Sequence, residues 1–78
     1  MAHQLPYRVI GVDAKAMPPI IEVGDPKSGG RPHHRAEATL EQCHQARGII
    51  DGGGIAMATV LHEVKPKRLV VATVFALP

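Results

Sequence analysis

Cysteine, serine and aromatic residues are nearly missing from this 78-residue chain, and each scarcity removes a class of explanation. Cys43 stands alone, so no disulfide can form within the chain, and a single thiol fits a reducing compartment. Ser28 is the one serine, and it lies in a glycine-rich stretch, which leaves no seryl nucleophile on a strand-to-helix elbow. Tryptophan is absent, and Tyr7 and Phe75 are the only aromatics. The apolar content is therefore mostly Ala, Val and Ile, side chains that each contribute little buried area. No stretch approaches the roughly 20 apolar residues of a membrane helix, Leu69–Leu77 being far too short. The opening MAHQLPYRVIGVD lacks the basic start and apolar core of a secretory signal, so the expected location is cytoplasmic, with no membrane contact.

What is present suits a globular domain. The apolar fraction is 45%, the formal charge +2 and the pI about 9.0, a mildly basic balance that does not by itself imply nucleic acid. Residues 1–78 make one small domain, and a chain of this length buries only about 60–65% of its unfolded surface. Such scaffolds lean on a disulfide, a metal or a partner subunit, and with the first excluded a homo-oligomer is the expectation.

Along the chain, Tyr7–Val12 and Ile20–Val23 are short β-branched runs that read as strands and could pair as a hairpin. Gly24–Pro32 holds three glycines and two prolines, and a flexible loop is expected over residues 24–35. Ala36–Arg47 lacks Gly and Pro and reads as a helix stopped by Gly48. Met57, Val60, Leu61 and Val64 recur at i, i+3, i+4 and i+7, which predicts a second helix ended by Lys65-Pro66. Leu69–Leu77 is apolar on both faces, a strand that is central in a sheet or lies in a subunit interface. Leu61 and Phe75 are expected to be buried together. The fold class implied is α/β or α+β, a short sheet with two helices.

Between the two predicted helices lies Asp51-Gly52-Gly53-Gly54. A glycine turn before a helix either serves only the tight turn or presents helix amides to a phosphate-bearing small molecule. The run DGGGIAMATVL followed by KPKRLVVATVFALP resembles the type I phosphoribosyltransferases over the last third of the chain. The resemblance implies an acid on the ribose hydroxyls at Asp51, a phosphate-loop glycine at Gly54 and the loop threonine at Thr59. Gly52 stands where the second acid of that signature is expected, and Met57 where a Thr-Gly pair is usual. The ligand-binding set from this reading is Asp51, Gly52, Gly53, Gly54 and Thr59.

The remaining chemistry is sparse. Lys27, Arg31, His33, His34 and Arg35 form a basic patch, and Lys65, Lys67 and Arg68 a second small group. Neither contains the aromatics that RNA readers stack on bases. Glu41, Cys43 and His44, the pair His33-His34, and His62-Glu63 show no recognised zinc spacing, so neither a metal nor a cofactor is expected. No catalytic set can be assembled. The function expected is a binding or assembly module, more readily than an enzyme. A reduced phosphoribosyltransferase-like protein and a small nucleic-acid-binding regulator are the two alternatives.

Overall fold

A computed structural model describes residues 5–25, 33–65 and 67–78. It contains β1 (Leu5–Asp13), β2 (Ile20–Gly24), β3 (His33–Glu37), α1 (Leu40–Asp51), β4 (Ile55–Glu63) and β5 (Arg68–Leu77). The strands close into a barrel in the order β1-β2-β3-β5-β4. β1 pairs antiparallel with both β2 and β4, joining Leu5 to Val60. β4 and β5 form a long antiparallel hairpin from Ile55↔Leu77 to Glu63↔Arg68. The one parallel contact, β3 with β5, is a single pair, Glu37↔Val70.

The strands alternate as a barrel requires, with every second side chain turned inward. Val9, Ile21, Val23, Ala36, Ala56, Ala58, Val60 and Val71 line the interior, and α1 lays Cys43 and Ala46 onto it. Small side chains suit the narrow lumen of a five-stranded barrel and allow the helix to approach closely. Two bulges bend the wall. The β1–β2 register jumps from Val9↔Val23 to Gly11↔Glu22, which leaves Ile10 as the extra residue. The β4–β5 register jumps from Thr59↔Thr73 to Val60↔Val71, which leaves Ala72 as the extra residue. A bulged residue leaves the ladder and increases the local twist. Ile10 is accordingly turned out to solvent.

The start of α1 is strongly specified. Thr39 Oγ1 accepts from the Gln42 amide at 3.1 Å, and Gln42 Oε1 accepts from the Thr39 amide at 2.9 Å, a reciprocal capping box. Nε2 of Gln42 then donates to the carbonyls of Val71 and Ala72, at 3.2 and 3.3 Å. One side chain thus caps the helix and ties it to the β5 bulge.

This architecture overturns the expected α/β or α+β class with two helices. The fold is a mostly-β barrel with one helix among the described residues, because Met57–Glu63 is extended and forms most of β4, with Val64 in the turn that follows. The apolar set there fits a period of two equally well, with Ala56, Ala58 and Val60 inward. The other helix begins at Leu40 rather than Ala36, since Ala36 pairs with Ile21 in β3. β3 also claims residues 33–35 of the loop expected at 24–35, while residues 26–32 lie outside the described residues. Leu61 and Phe75 do not share a core: Phe75 stands opposite Met57 on the outer face of the hairpin and is exposed.

Cys43 is buried, and its Sγ lies 3.9 Å from the Ile20 carbonyl as a weak donor. Burial, reinforced by the charge of Asp13, pushes the thiol above its ordinary range. The folded state therefore favours the neutral thiol. The stability this brings is complete below the unfolded-chain value near 9 and is lost as pH rises through the higher folded value. Native protein is expected to resist iodoacetamide at pH 8 and to react once unfolded in urea. Alkylation of the native chain at the rate of a free thiol would contradict this burial.

Candidate basic groove

The single β3–β5 pair has a consequence for the surface. Beyond Glu37↔Val70 the two strands diverge, so His33–Ala36 has β2 on one side and, among the described residues, no strand on the other. An open groove of about 440 Å³ occupies the gap. His33, His34 and Arg35 form one wall, and His62, Glu63, Lys67, Arg68 and Leu69 the other. Strand alternation explains the first wall: Ala36 points into the core, so Arg35 and His33 point out. The hairpin turn between β4 and β5 supplies the second.

The charges in this groove differ in availability. Arg68 is held: its Nε donates to Glu63 Oε1 at 2.6 Å and its Nη1 to Glu37 Oε1 at 3.2 Å. The hydrogen bond and charge of Glu63, followed by the charge of Glu37, raise the guanidinium above its ordinary value and keep it cationic. Arg35 reaches Glu22 only at 4.0 Å, with the Arg35 side chain mostly and the Glu22 side chain partly in solvent. An exposed pair of that kind contributes about 0–1 kcal/mol, so a phosphate can displace the carboxylate. Among the described residues Lys67 makes no salt bridge. His34 is steadied by an edge-on contact with Tyr7, the ring centroids 6.1 Å apart at 79°.

The groove joins part of the basic patch to part of the second basic group. His33, His34 and Arg35 of the first patch belong to it, whereas Lys27 and Arg31 lie outside the described residues. Lys67, Arg68 and His62 were not connected to that patch by sequence reasoning. Reading Met57–Val64 as a strand would have placed them on a hairpin turn. Among the described residues no three His, Cys, Asp or Glu side chains gather as a metal site would require.

The glycine turn has a different geometry from the one its sequence suggests. It follows α1 instead of preceding a helix, and its amides are already used. Gly52 N–H donates to the Gly48 carbonyl, Gly53 to Ile50 and Gly54 to Ile49, at 2.9–3.1 Å. Gly53 has φ +84°, the left-handed conformation that favours glycine at a helix end. A helix C-terminus carries partial negative charge and repels anions. Asp51 is engaged by Arg47 at 3.9 Å, and Thr59 bonds Thr73 on the outer wall of the barrel. Five residue steps along an extended strand, about 17 Å, separate Thr59 from Gly54, so these residues do not converge on one ligand. The order strand, glycine loop, helix, strand that the phosphoribosyltransferase resemblance implies is not the order found here.

A second, smaller pocket of about 340 Å³ lies between β1, the end of α1 and the start of β4, walled by Ile10, Ile50, Ile55 and Gly54 with Arg8 at hand. Among the described residues, no helix is long and apolar enough to cross a membrane. Compared with protein-family models, with curated proteins and with solved structures, the chain matches none.

Proposed function

We propose that this barrel is a binding module whose β3–β5 groove receives a single-stranded nucleic acid through its phosphates. The observation that carries this reading is the groove itself, where Arg35, Lys67 and three histidines line an open channel; of the neighbouring acids among the described residues, Glu63 and Glu37 are taken up by Arg68, and Glu22 holds Arg35 only at 4.0 Å. Architecture supports it by analogy. The strand order β1-β2-β3-β5-β4 with a helix between β3 and β4 is that of OB-type Greek-key barrels. Such barrels use the β2–β3 face and the β1–β2 and β4–β5 loops for extended oligonucleotides. Here the β4–β5 turn is one wall of the groove. Among the described residues the groove walls carry no aromatic ring besides the histidines, so phosphate contacts carry most of the affinity.

Fluorescence anisotropy with a labelled oligonucleotide of about 12 nucleotides, a span suited to one such barrel, tests the proposal. Binding is expected at about 50 mM salt, weakening steeply toward 200 mM as released counterions dictate. Reversing two charges with Arg35→Glu and Lys67→Glu should lower affinity at least tenfold, while circular dichroism shows the barrel intact. Affinity unchanged by the double variant, or no binding at low salt, would overturn it.

A further inference from the structure

Three of the chain's five histidines, His33, His34 and His62, line the groove between β3 and β5. Among the described residues none of the three makes a hydrogen bond or a salt bridge, so their ring nitrogens are open to a ligand. His33 and His62 are exposed, and His34 is half-buried against the edge of Tyr7. The fixed charges around them nearly cancel. β3 supplies Arg35 and Glu37, β2 supplies Glu22, and Asp25 follows Gly24, the partner of His33. β1 brings Arg8 into the same cross-strand row as Gly24 and His33, together with the Tyr7 phenol. β4 supplies Glu63, the turn after it Lys65 and Lys67, and β5 Arg68. Five cations thus stand against four acids among the described residues, one net positive charge with the imidazoles neutral and four with all three protonated.

We infer that the groove is a proton-gated phosphate site, in which His33, His34 and His62 take up protons as a nucleic-acid strand binds, so that affinity rises as pH falls from 8 to 6. The inference rests on the nucleic-acid reading of the groove and adds the regulation of that site. Imidazole is the side chain whose ordinary titration, near pH 6.5, falls inside this interval, whereas lysine, arginine and carboxylates keep their charges across it. Protonation therefore changes the field at the groove with no change in the fold.

The pairing pattern makes these imidazoles the variable charge. Arg68 is occupied by Glu63 and Glu37, so those two acids are neutralised without help from a histidine. Glu22 leans toward Arg35. Among the described residues no acid is paired with a groove histidine in advance, which leaves an arriving phosphate as the anion that selects the protonated ring. A phosphate beside an imidazole favours its charged form, and by reciprocity the charged form favours the phosphate. The sign follows directly. The extra affinity is fully present below the ordinary imidazole value and is lost as pH rises through the higher value that the bound phosphate imposes.

The test is fluorescence anisotropy at pH 6 and pH 8, at one fixed ionic strength, with an oligothymidylate of about 12 nucleotides carrying a pH-insensitive dye. Thymine does not titrate in this interval, and the probe has no terminal phosphate, whose second proton would leave near pH 6. Binding should be at least about tenfold tighter at pH 6, the gain expected when several imidazoles each bind a proton with the strand. The log–log salt slope should also steepen, by about 0.7 for each imidazolium that neutralises a phosphate. The double variant His33→Gln/His62→Gln alters two exposed side chains and should lose most of the gain while circular dichroism stays unchanged. In the unaltered chain, the ring-proton NMR signals of His33 and His62 should titrate at higher pH with the oligonucleotide than without it. Affinity equal within about twofold at the two pH values overturns the inference and leaves the nucleic-acid reading standing. A full gain retained in the folded double variant, or ring titrations unmoved by the bound strand, also overturns it. Absence of binding at both pH values and low salt removes both readings.

Discussion

Ile21→Ala is expected to destabilise the barrel by about 2–5 kcal/mol, the cost of losing a large buried aliphatic side chain and keeping the void. Among the described residues Ile21 is the bulkiest of the completely buried side chains, held in β2 between Val12 and Ala36. Its neighbours in the core are mostly Val and Ala, which have no slack methylenes to refill the space. A small domain has a total stability near the lower end of the 5–15 kcal/mol range, so most of the folded population should be lost. Urea denaturation followed by circular dichroism measures the effect. Leu61→Ala, at a half-buried position on β4, should cost clearly less. A loss below about 1 kcal/mol for Ile21→Ala would mean that the interior is not organised around this residue.

The second large effect is expected at Gln42. Its amide group accepts from Thr39 at the helix start and donates to two carbonyls of the β5 bulge, so Gln42→Ala removes both functions. About 1–3 kcal/mol should be lost, since the part-buried carbonyls keep no partner from α1. Gln42→Glu separates the two. A carboxylate still accepts from the Thr39 amide and suits the first helical turn, but it cannot donate to Val71 and Ala72 and faces their oxygens instead. The helix start should remain protected in amide exchange while the Ala72–Val74 region of β5 opens. Wild-type stability in Gln42→Glu would show that the tie to β5 contributes nothing.

Much of the barrel wall was legible, and the reasons are local. Tyr7–Val12, Ile20–Val23 and Leu69–Leu77 are β-branched runs bounded by Pro, Asp or charge, and each lies within a strand. β4 was misread because its inward positions are alanines. Ala56 and Ala58 are good helix formers and weak hydrophobic markers, so the larger Met57, Val60, Leu61 and Val64 set the apparent period. That error then reversed the meaning of the glycines, turning the end of α1 into the start of a helix that does not exist. It also concealed the groove. The residues of both basic groups were visible, but the Glu37↔Val70 pair and the Arg68–Glu37 ion pair bring β3 to the β4–β5 hairpin, and no local pattern announces a pairing between such distant strands.

Closure by β1 against β4 sets an order of events during synthesis. Leu5 finds its antiparallel neighbour at Val60, so the first strand waits through β2, β3 and the whole helix before its second side is filled. Until then Val9, Ile21 and Val23 have no completed interior to enter. Chains dominated by such distant pairings fold in milliseconds to seconds, slowly enough for a nascent chain to need shielding. The Thr39–Gln42 box is the exception, since it can form from four consecutive residues as soon as they are free. A helix that nucleates early, carrying the very amide that later grips the β5 bulge, gives the slow closure a preformed surface to assemble upon.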